Sequence, residues 1–262
     1  MSISVQIITL TSDYGANTYY AAALKAKLLA LLPQIVLVDI SHNLPPYDLT
    51  QAAFLVQSCM PNFVQQTVHI VAVDTNLALH QNILVGQKQN QWIIAADNGF
   101  LSMVSNTWDK IYQVNQSLFS INDLSPEKNV FTQVAANIIN GVNIDSYLTE
   151  TTPSVILDNL KPVIGVDQIR ATIVHVDGYD NAITNLDKQQ FDAWIGEDKY
   201  KIYYRKKESL DKIEQNYSMV SPGSGVAVFN DMGWLEIAIN RGQGRSLLGL
   251  KLGDQIIIEK QP

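Results

Sequence analysis

The chain has 262 residues, 47% of them hydrophobic, and a formal net charge of −7, enough apolar material for one large core or two smaller ones. A pI near 5.0 leaves no basic face to neutralise phosphates, so no nucleic-acid partner is expected. No run approaches the roughly 18 unbroken apolar residues of a membrane span; the single cysteine, Cys59, excludes an internal disulfide, and the Met-Ser-Ile-Ser start lacks signal-peptide character, so a cytoplasmic protein with no membrane partner is expected.

Residues 1–152 alternate short β-branched apolar runs with helical patterns, which predicts an α/β domain with a mainly parallel sheet. Its clearest helix spans 17–32, with Asn17 as N-cap and Pro33 as the stop. A second helix covers 47–59 before Pro61, and a third covers 131–141 with Gly141 as its C-terminal cap. The segment 150–166 holds Thr-Thr-Pro and Leu-Lys-Pro without periodicity, so 153–168 reads as a linker. From 169 to 262 the runs ATIVHVD, AITNL, YKIYYR, GVAVF, WLEIAI and DQIIIE predict an all-β, barrel-like domain. The one locally basic stretch, KYKIYYRKKESLDK, reads as a solvated edge strand protected by lysines.

Four aspartates stand just past apolar runs: Asp13, Asp39, Asp74 and Asp97. In an open α/β sheet such positions converge on the crevice beyond the carboxyl ends of the strands. The first turn, TSDYGANTYY, has one glycine where a dinucleotide fingerprint needs three, so no pyrophosphate cradle is expected. Asp13 instead suits the ribose hydroxyls of a nucleoside. Any of the four aspartates also fits an N-cap or turn role. Asp39 suits orientation of its loop through His42, and Asp97 an Asx turn before Gly99, so both lean structural. Asp74 leans functional, because VDTNLALHQN contains neither Gly nor Pro. Gathered together, these carboxylates would alternatively suit Mg²⁺ or Mn²⁺ in a phosphohydrolase.

In the second half, HVDGYDNAITN offers carboxylates, amides and the Tyr179 ring in one loop, able to hold an amino acid and stack a base. The same loop also fits a type I′ hairpin turn at Asp180-Asn181. Asn240-Arg241-Gly242 after WLEIAI offers backbone groups for an adenine edge, or a simple polar turn.

In that order, ITLTSDYG, VDISHNLPPYD, TVHIVAVD, AADNGFLS, the Asp177 loop and GWLEIAIN resemble the S-adenosylmethionine hydroxide adenosyltransferase family, which also contains the S-adenosylmethionine-dependent fluorinase and chlorinase. The likeness spans nearly the whole chain. It implies attack of water or hydroxide on ribose C5′ of S-adenosylmethionine, giving adenosine and methionine, with no metal and no cofactor beyond the substrate itself. It also implies a homotrimer with each site between the N-terminal domain of one subunit and the C-terminal domain of the next. By motif, Asp13 would bind the ribose hydroxyls and Tyr47 would lie beside the ribose and the methionine end. Asp177 and Asn181 would hold the methionine amino and carboxylate groups, Tyr179 would stack on adenine, and backbone at Ile239 and Arg241 would meet its edge. Asn98 of AADNGFLS is placed with these substrate-binding residues.

The chain departs from the family pattern at the water-activating set of Asp, Arg and His. Asp74 stands at the aspartate position, but Gln81 occupies that of the arginine and Pro126 that of the histidine. His80 and Lys128, each close to a lost cation, are the candidate replacements beside Asp74. A halogenase is disfavoured, because Asp74 would repel a halide and Leu77 stands where the fluorinase has a halide-binding threonine. Two alternatives to hydrolysis remain: a catalytically impaired protein that binds S-adenosylmethionine or adenosine, and the metal-dependent phosphohydrolase.

Overall fold

The computed structural model describes residues 6–76, 82–119, 125–157, 161–205 and 208–261, in two compact units, 1–159 and 160–262. Among the described residues, the first unit runs β1 (Ile7–Ser12), α1 (Tyr20–Leu31), β2 (Val36–Ser41), α2 (Leu49–Cys59), β3 (Val68–Ala72), β4 (Ile83–Lys88), β5 (Gln91–Ala96), α3 (Phe100–Val104), β6 (Lys110–Val114), α4 (Thr132–Ile139) and β7 (Leu148–Glu150). Its sheet has the order β2-β1-β3-β5-β4-β6-β7. The first four strands in that order are parallel, and β4, β6 and β7 extend the sheet antiparallel.

The predicted α/β architecture is therefore present, and its parallel part is buried as such sheets require. All residues of β3 and β5 are buried. Ile8, Leu10, Ile70 and Ile94 of the sheet pack in one cluster with Leu24 and Leu28 of α1 and Val134 of α4. Each such side chain contributes about 1.5–3 kcal/mol by leaving water. The β4–β5 connection is a two-residue turn with both Gln89 and Asn90 left-handed (φ 49° and 60°), as a type I′ hairpin requires.

Two helix starts differ from the sequence expectation. Helix α1 begins at Tyr20 rather than near Asn17, and the residue before it, Tyr19, makes no side-chain cap; Thr18 donates instead to the Tyr14 carbonyl, within the preceding turn. Helix α2 starts after Asp48, whose carboxylate accepts from the Gln51 N–H, because Tyr47 is left-handed and cannot be helical. At the end of α4, Gly141 does adopt the left-handed conformation (φ 67°) of a C-terminal cap.

The second unit contains β8 (Val163–Ile164), β9 (Gln168–Val176), β10 (Ala182–Asp187), α5 (Lys188–Ile195), β11 (Lys199–Arg205), β12 (Glu208–Leu210), β13 (Ile213–Glu214), β14 (Gly225–Phe229), β15 (Trp234–Ile239), α6 (Gly244–Leu248) and β16 (Gln255–Gln261). The sheet order is β12-β11-β16-β9-β10-β15-β14-β13, with β8 on β9. β12 also approaches β14, so the sheet nearly closes on itself as a barrel-like layer. Ile169, Ala171, Leu235, Ile237, Ile256 and Ile258 fill its interior. All six predicted strands are present. Helix α5 is the addition: Asp187 and Gln190 form a capping box at its start. No helix among the described residues is long and apolar enough to cross a membrane.

Candidate functional site

The chain passes from β1 to β2 on one side of β1 and then returns to place β3 on the other side. This reversal of strand order opens a crevice beyond the carboxyl ends of β1 and β3, the place where open α/β sheets bind ligands. Ser12 pairs with Ala72 at the last rung, so Asp13 and Asp74 follow just beyond it, on the two lips of that crevice.

Asp13 is held from the next loop: its Oδ2 accepts the Tyr47 backbone N–H at 2.8 Å, and the Gly15 N–H donates to the His42 carbonyl at 2.7 Å. Asp48 N–H bonds to the Pro45 carbonyl, closing a turn with Pro46 second and Tyr47 third. Tyr47 has φ 64°, in a turn position that ordinarily carries glycine. That conformation costs a residue with a Cβ about 1–2 kcal/mol, yet the Tyr47 side chain is 72% exposed and gains little from packing. A left-handed, exposed tyrosine thus fixes a crevice carboxylate through its backbone N–H, and backbone strain of this kind clusters at ligand-binding sites.

Asp74 is left-handed as well (φ 48°). The buried Asn98 donates its side-chain amide to the carbonyls of Val73 and Asp74, both at 3.1 Å, and accepts from the Phe100 N–H. Asn98 therefore fixes the backbone that presents Asp74.

Sequence reasoning missed Glu127. It is 7% exposed and lies on a π-turn, Glu127–Phe131, that leads into α4; such turns recur at functional sites. Its Oε1 accepts the Tyr14 hydroxyl at 2.8 Å and its Oε2 the Thr75 hydroxyl at 3.1 Å. These donors directly follow Asp13 and Asp74, so one buried carboxylate ties the two lips together. Burial first, and then the Glu127 charge, push the Tyr14 phenol well above its usual range and keep it a donor. The available signal was that Glu127 is the only acidic residue in SPEKNVF, beside the Pro126 already singled out. Lys128, the next residue, is exposed. His80, with Leu77 and Gln81, lies outside the described residues.

Two of the four strand-end aspartates are anchors. Asp97 is 5% exposed and accepts the Ser154 N–H and hydroxyl and the Val155 N–H, clamping that segment rather than making an Asx turn. Asp39 accepts from Lys25 at 2.5 Å and from His42 at 3.1 Å, and His42 Nδ1 meets the Ser12 hydroxyl at 2.6 Å, the orienting role expected through His42. Burial raises the Asp39 carboxyl, but the hydrogen bonds of Lys25 and His42 outweigh it and hold it below the usual range. Among the described residues no group of three or more His, Cys, Asp or Glu side chains is placed to hold a metal ion.

In the second unit, 177–181 joins β9 to β10. Asp177 Oδ1 accepts the N–H groups of Tyr179 (2.9 Å) and Asn181 (2.8 Å), and Oδ2 accepts the Asn181 side-chain amide at 3.1 Å. Only Asp180 of the loop is left-handed (φ 68°), so this is a five-residue loop and not a type I′ turn, which needs two such residues. Tyr179 projects, 81% exposed. Asp180 binds α6: its carboxylate accepts Arg245 Nε and the Ser246 N–H, and its carbonyl accepts the Arg245 N–H. Those Ser246 and Arg245 contacts hold its carboxyl below the usual range. A Cβ on Gly244 would sit 3.1 Å from the Asp180 carbonyl and 3.2 Å from Ile239 N, so the loop and the end of β15 adjoin there. Beyond β15, the Gly242 N–H bonds back to the Ile239 carbonyl and Arg241 is left-handed (φ 56°). Asp177, Tyr179, Asn181, Ile239 and Arg241 thus share one end of the barrel-like unit.

Comparison with known proteins covers nearly all of this architecture. The family model described as SAM hydroxide adenosyltransferase N-terminal domain matches residues 8–147, and the C-terminal domain model matches 171–257. Curated relatives include the (R)-S-adenosyl-L-methionine hydrolases of Methanocaldococcus jannaschii, 23% identical over 97% of this chain and 96% of that protein, and Thermus thermophilus, 25% identical over 92% and 95%. Among solved structures, an uncharacterised conserved protein from Thermotoga maritima superposes with a TM-score of 0.85 at 23% identity, covering 97% of this chain and 99% of that one. A conserved hypothetical protein from Thermus thermophilus gives 0.74 at 23% identity, covering 98% and 100%.

Proposed function

Because the chain belongs to the SAM hydroxide adenosyltransferase family, we propose that it hydrolyses S-adenosylmethionine to adenosine and L-methionine, water or hydroxide attacking ribose C5′. The observation that carries this reading is Asp13 at the strand-order reversal, fixed through Oδ2 by the strained Tyr47 backbone. Its Oδ1 accepts no hydrogen bond from the described residues and is open to the ribose hydroxyls, a charge-assisted contact.

In this reading the sulfonium is its own leaving group, and the protein's main task is to hold the nucleophile in line with the C5′–S bond. Asp74 flanks the nucleophile, with His80 and Lys128 the candidate cations beside it. The carboxylates of Asp13, Asp74 and Glu127 suit a cationic substrate and favour it over the uncharged thioether product. Asp177 and Asn181 take the methionine amino and carboxylate groups, Tyr179 stacks on adenine, and backbone at Ile239 and Arg241 meets its edge. The two residue sets lie in different units, and we propose a homotrimer in which each site joins one subunit's first unit to its neighbour's second.

A second reading has one observation in its favour: Pro126 begins the turn where the family pattern carries its histidine. The protein would then bind S-adenosylmethionine or adenosine without turnover. Chromatography of the protein incubated with S-adenosylmethionine, against a boiled control, separates the two. Adenosine and methionine in equal amounts establish hydrolysis; ligand-induced thermal stabilisation without products establishes the binder.

A further inference from the structure

Hydrolysis of a sulfonium by water leaves a proton to be placed. The C5′–S bond breaks with its electron pair going to sulfur, which becomes the neutral thioether of methionine, and the new C5′–O bond leaves the attacking oxygen one proton too many. We propose that Glu127 takes this proton through the Thr75 hydroxyl, an assignment that rests on the hydrolysis reading above.

Three features point to this pair. Thr75 donates its only hydroxyl proton to Glu127 Oε2 at 3.1 Å, so toward the crevice it presents lone pairs alone. A water donating to Thr75 keeps its own lone pair free for C5′. The second feature is the chemistry of Glu127: its partners among the described residues are both hydroxyls, Tyr14 and Thr75. Among the described residues no cation pairs with it, and a buried carboxylate without one is costly for fold stability. The third is that three of the four strand-end aspartates are committed elsewhere, while the fourth, Asp74, flanks the nucleophile in the reading above. Asp97 accepts from Ser154 and Val155, the exposed Asp39 accepts from Lys25 and His42, and Asp13 binds ribose in the proposed complex.

The step balances without a co-reactant. As the water oxygen bonds to C5′, its proton passes to Thr75 Oγ while the Thr75 proton passes to Glu127; Thr75 is unchanged, Glu127 becomes a carboxylic acid, and solvent resets it after product release. Tyr14 holds Oε1, so Oε2 stays aimed at Thr75.

The test compares adenosine release and S-adenosylmethionine affinity for the wild-type protein, Glu127→Gln, Thr75→Val and Thr75→Ser. Positioned proton transfer contributes roughly 10²–10⁴-fold. The expected result is a fall in kcat of about 100-fold or more in Glu127→Gln and Thr75→Val, with KM and ligand affinity little changed, and near-normal kcat in Thr75→Ser. A structural role predicts the opposite split, with affinity and melting temperature falling together with rate. Glu127→Gln turning over like wild type, or Thr75→Ser as impaired as Thr75→Val, overturns the assignment while hydrolysis stands. Absence of adenosine from the wild-type protein overturns hydrolysis and this step with it. Should Glu127→Gln fail to fold, the Thr75 pair decides alone, because Thr75 is only half-buried.

Discussion

Tyr14 donates its hydroxyl to Glu127 Oε1 at 2.8 Å across 113 residues of sequence. The bond joins the loop after the first strand to the turn that opens the last helix of the unit, and Thr75 adds the loop after β3 to the same carboxylate. Polar groups of this kind fix one arrangement of their loops, because each is costly to leave unpaired once buried. What they fix is the separation of Asp13 from Asp74.

Asp13→Ala is expected to lower affinity for S-adenosylmethionine and for adenosine by about 10- to 100-fold, the loss of one charge-assisted hydrogen bond at roughly 1.5–3 kcal/mol. It also frees the Tyr47 N–H, but that group lies at the surface and water can satisfy it. Titration calorimetry with adenosine isolates the ribose contact from any effect on chemistry. Unchanged adenosine affinity would show that the ribose is held elsewhere.

Those Asp13 and Asp74 positions were legible in the sequence, because an apolar run that ends in a carboxylate marks a strand end and parallel strand ends converge. The six long strands of the second unit were legible for a similar reason: alternating apolar residues bounded by Gly, Asp or Asn report burial on one face. Helix α5 was not, because Asp187 and Gln190 resemble turn residues until their reciprocal bonds are seen. Glu127 was not either. Its partners are set by long-range packing, and nothing in the periodicity around SPEKNVF connects it to Tyr14. Asp180 illustrates the converse, a residue in a suggestive loop whose carboxylate serves α6.

Tyr47→Gly separates strain from stability. Glycine adopts φ 64° without the Cβ penalty of about 1–2 kcal/mol, against an unfolded-state entropy cost of about 0.5–1 kcal/mol. With 72% of the side chain exposed, little packing is lost. The variant is expected to melt at or slightly above the wild-type temperature while binding S-adenosylmethionine more weakly. A marked drop in melting temperature would show that Tyr47 is retained for folding and not for the site.

Adenosine release is expected to survive EDTA within about twofold. A metal commonly activates water or a poor leaving group, whereas a sulfonium departs as a neutral thioether without help. Adenosine release abolished by EDTA and restored by Mg²⁺ or Mn²⁺ would overturn the metal-free reading, and metal-dependent release of phosphate from a phosphomonoester in place of adenosine release would establish the phosphohydrolase alternative.

The pH dependence of stability has a definite source in His69. Its ring is fully buried, between the Thr9 hydroxyl at 2.7 Å and the Gln91 side-chain carbonyl at 2.9 Å. Burial pushes its pKa down from 6.5 to about 4, the Gln91 bond opposing only in part. The folded state therefore resists a proton that the unfolded chain accepts below about pH 6.5. Stability from this residue is complete above that pH and is lost as the pH falls from about 6.5 toward 4, amounting to about 2 kcal/mol by pH 5 and approaching 3 kcal/mol by pH 4. Urea denaturation at pH 7 and pH 5 should show this fall in the wild-type protein. His69→Gln, less stable at pH 7 but unable to titrate, should show a smaller one; an equal fall in both proteins would place the acid sensitivity elsewhere.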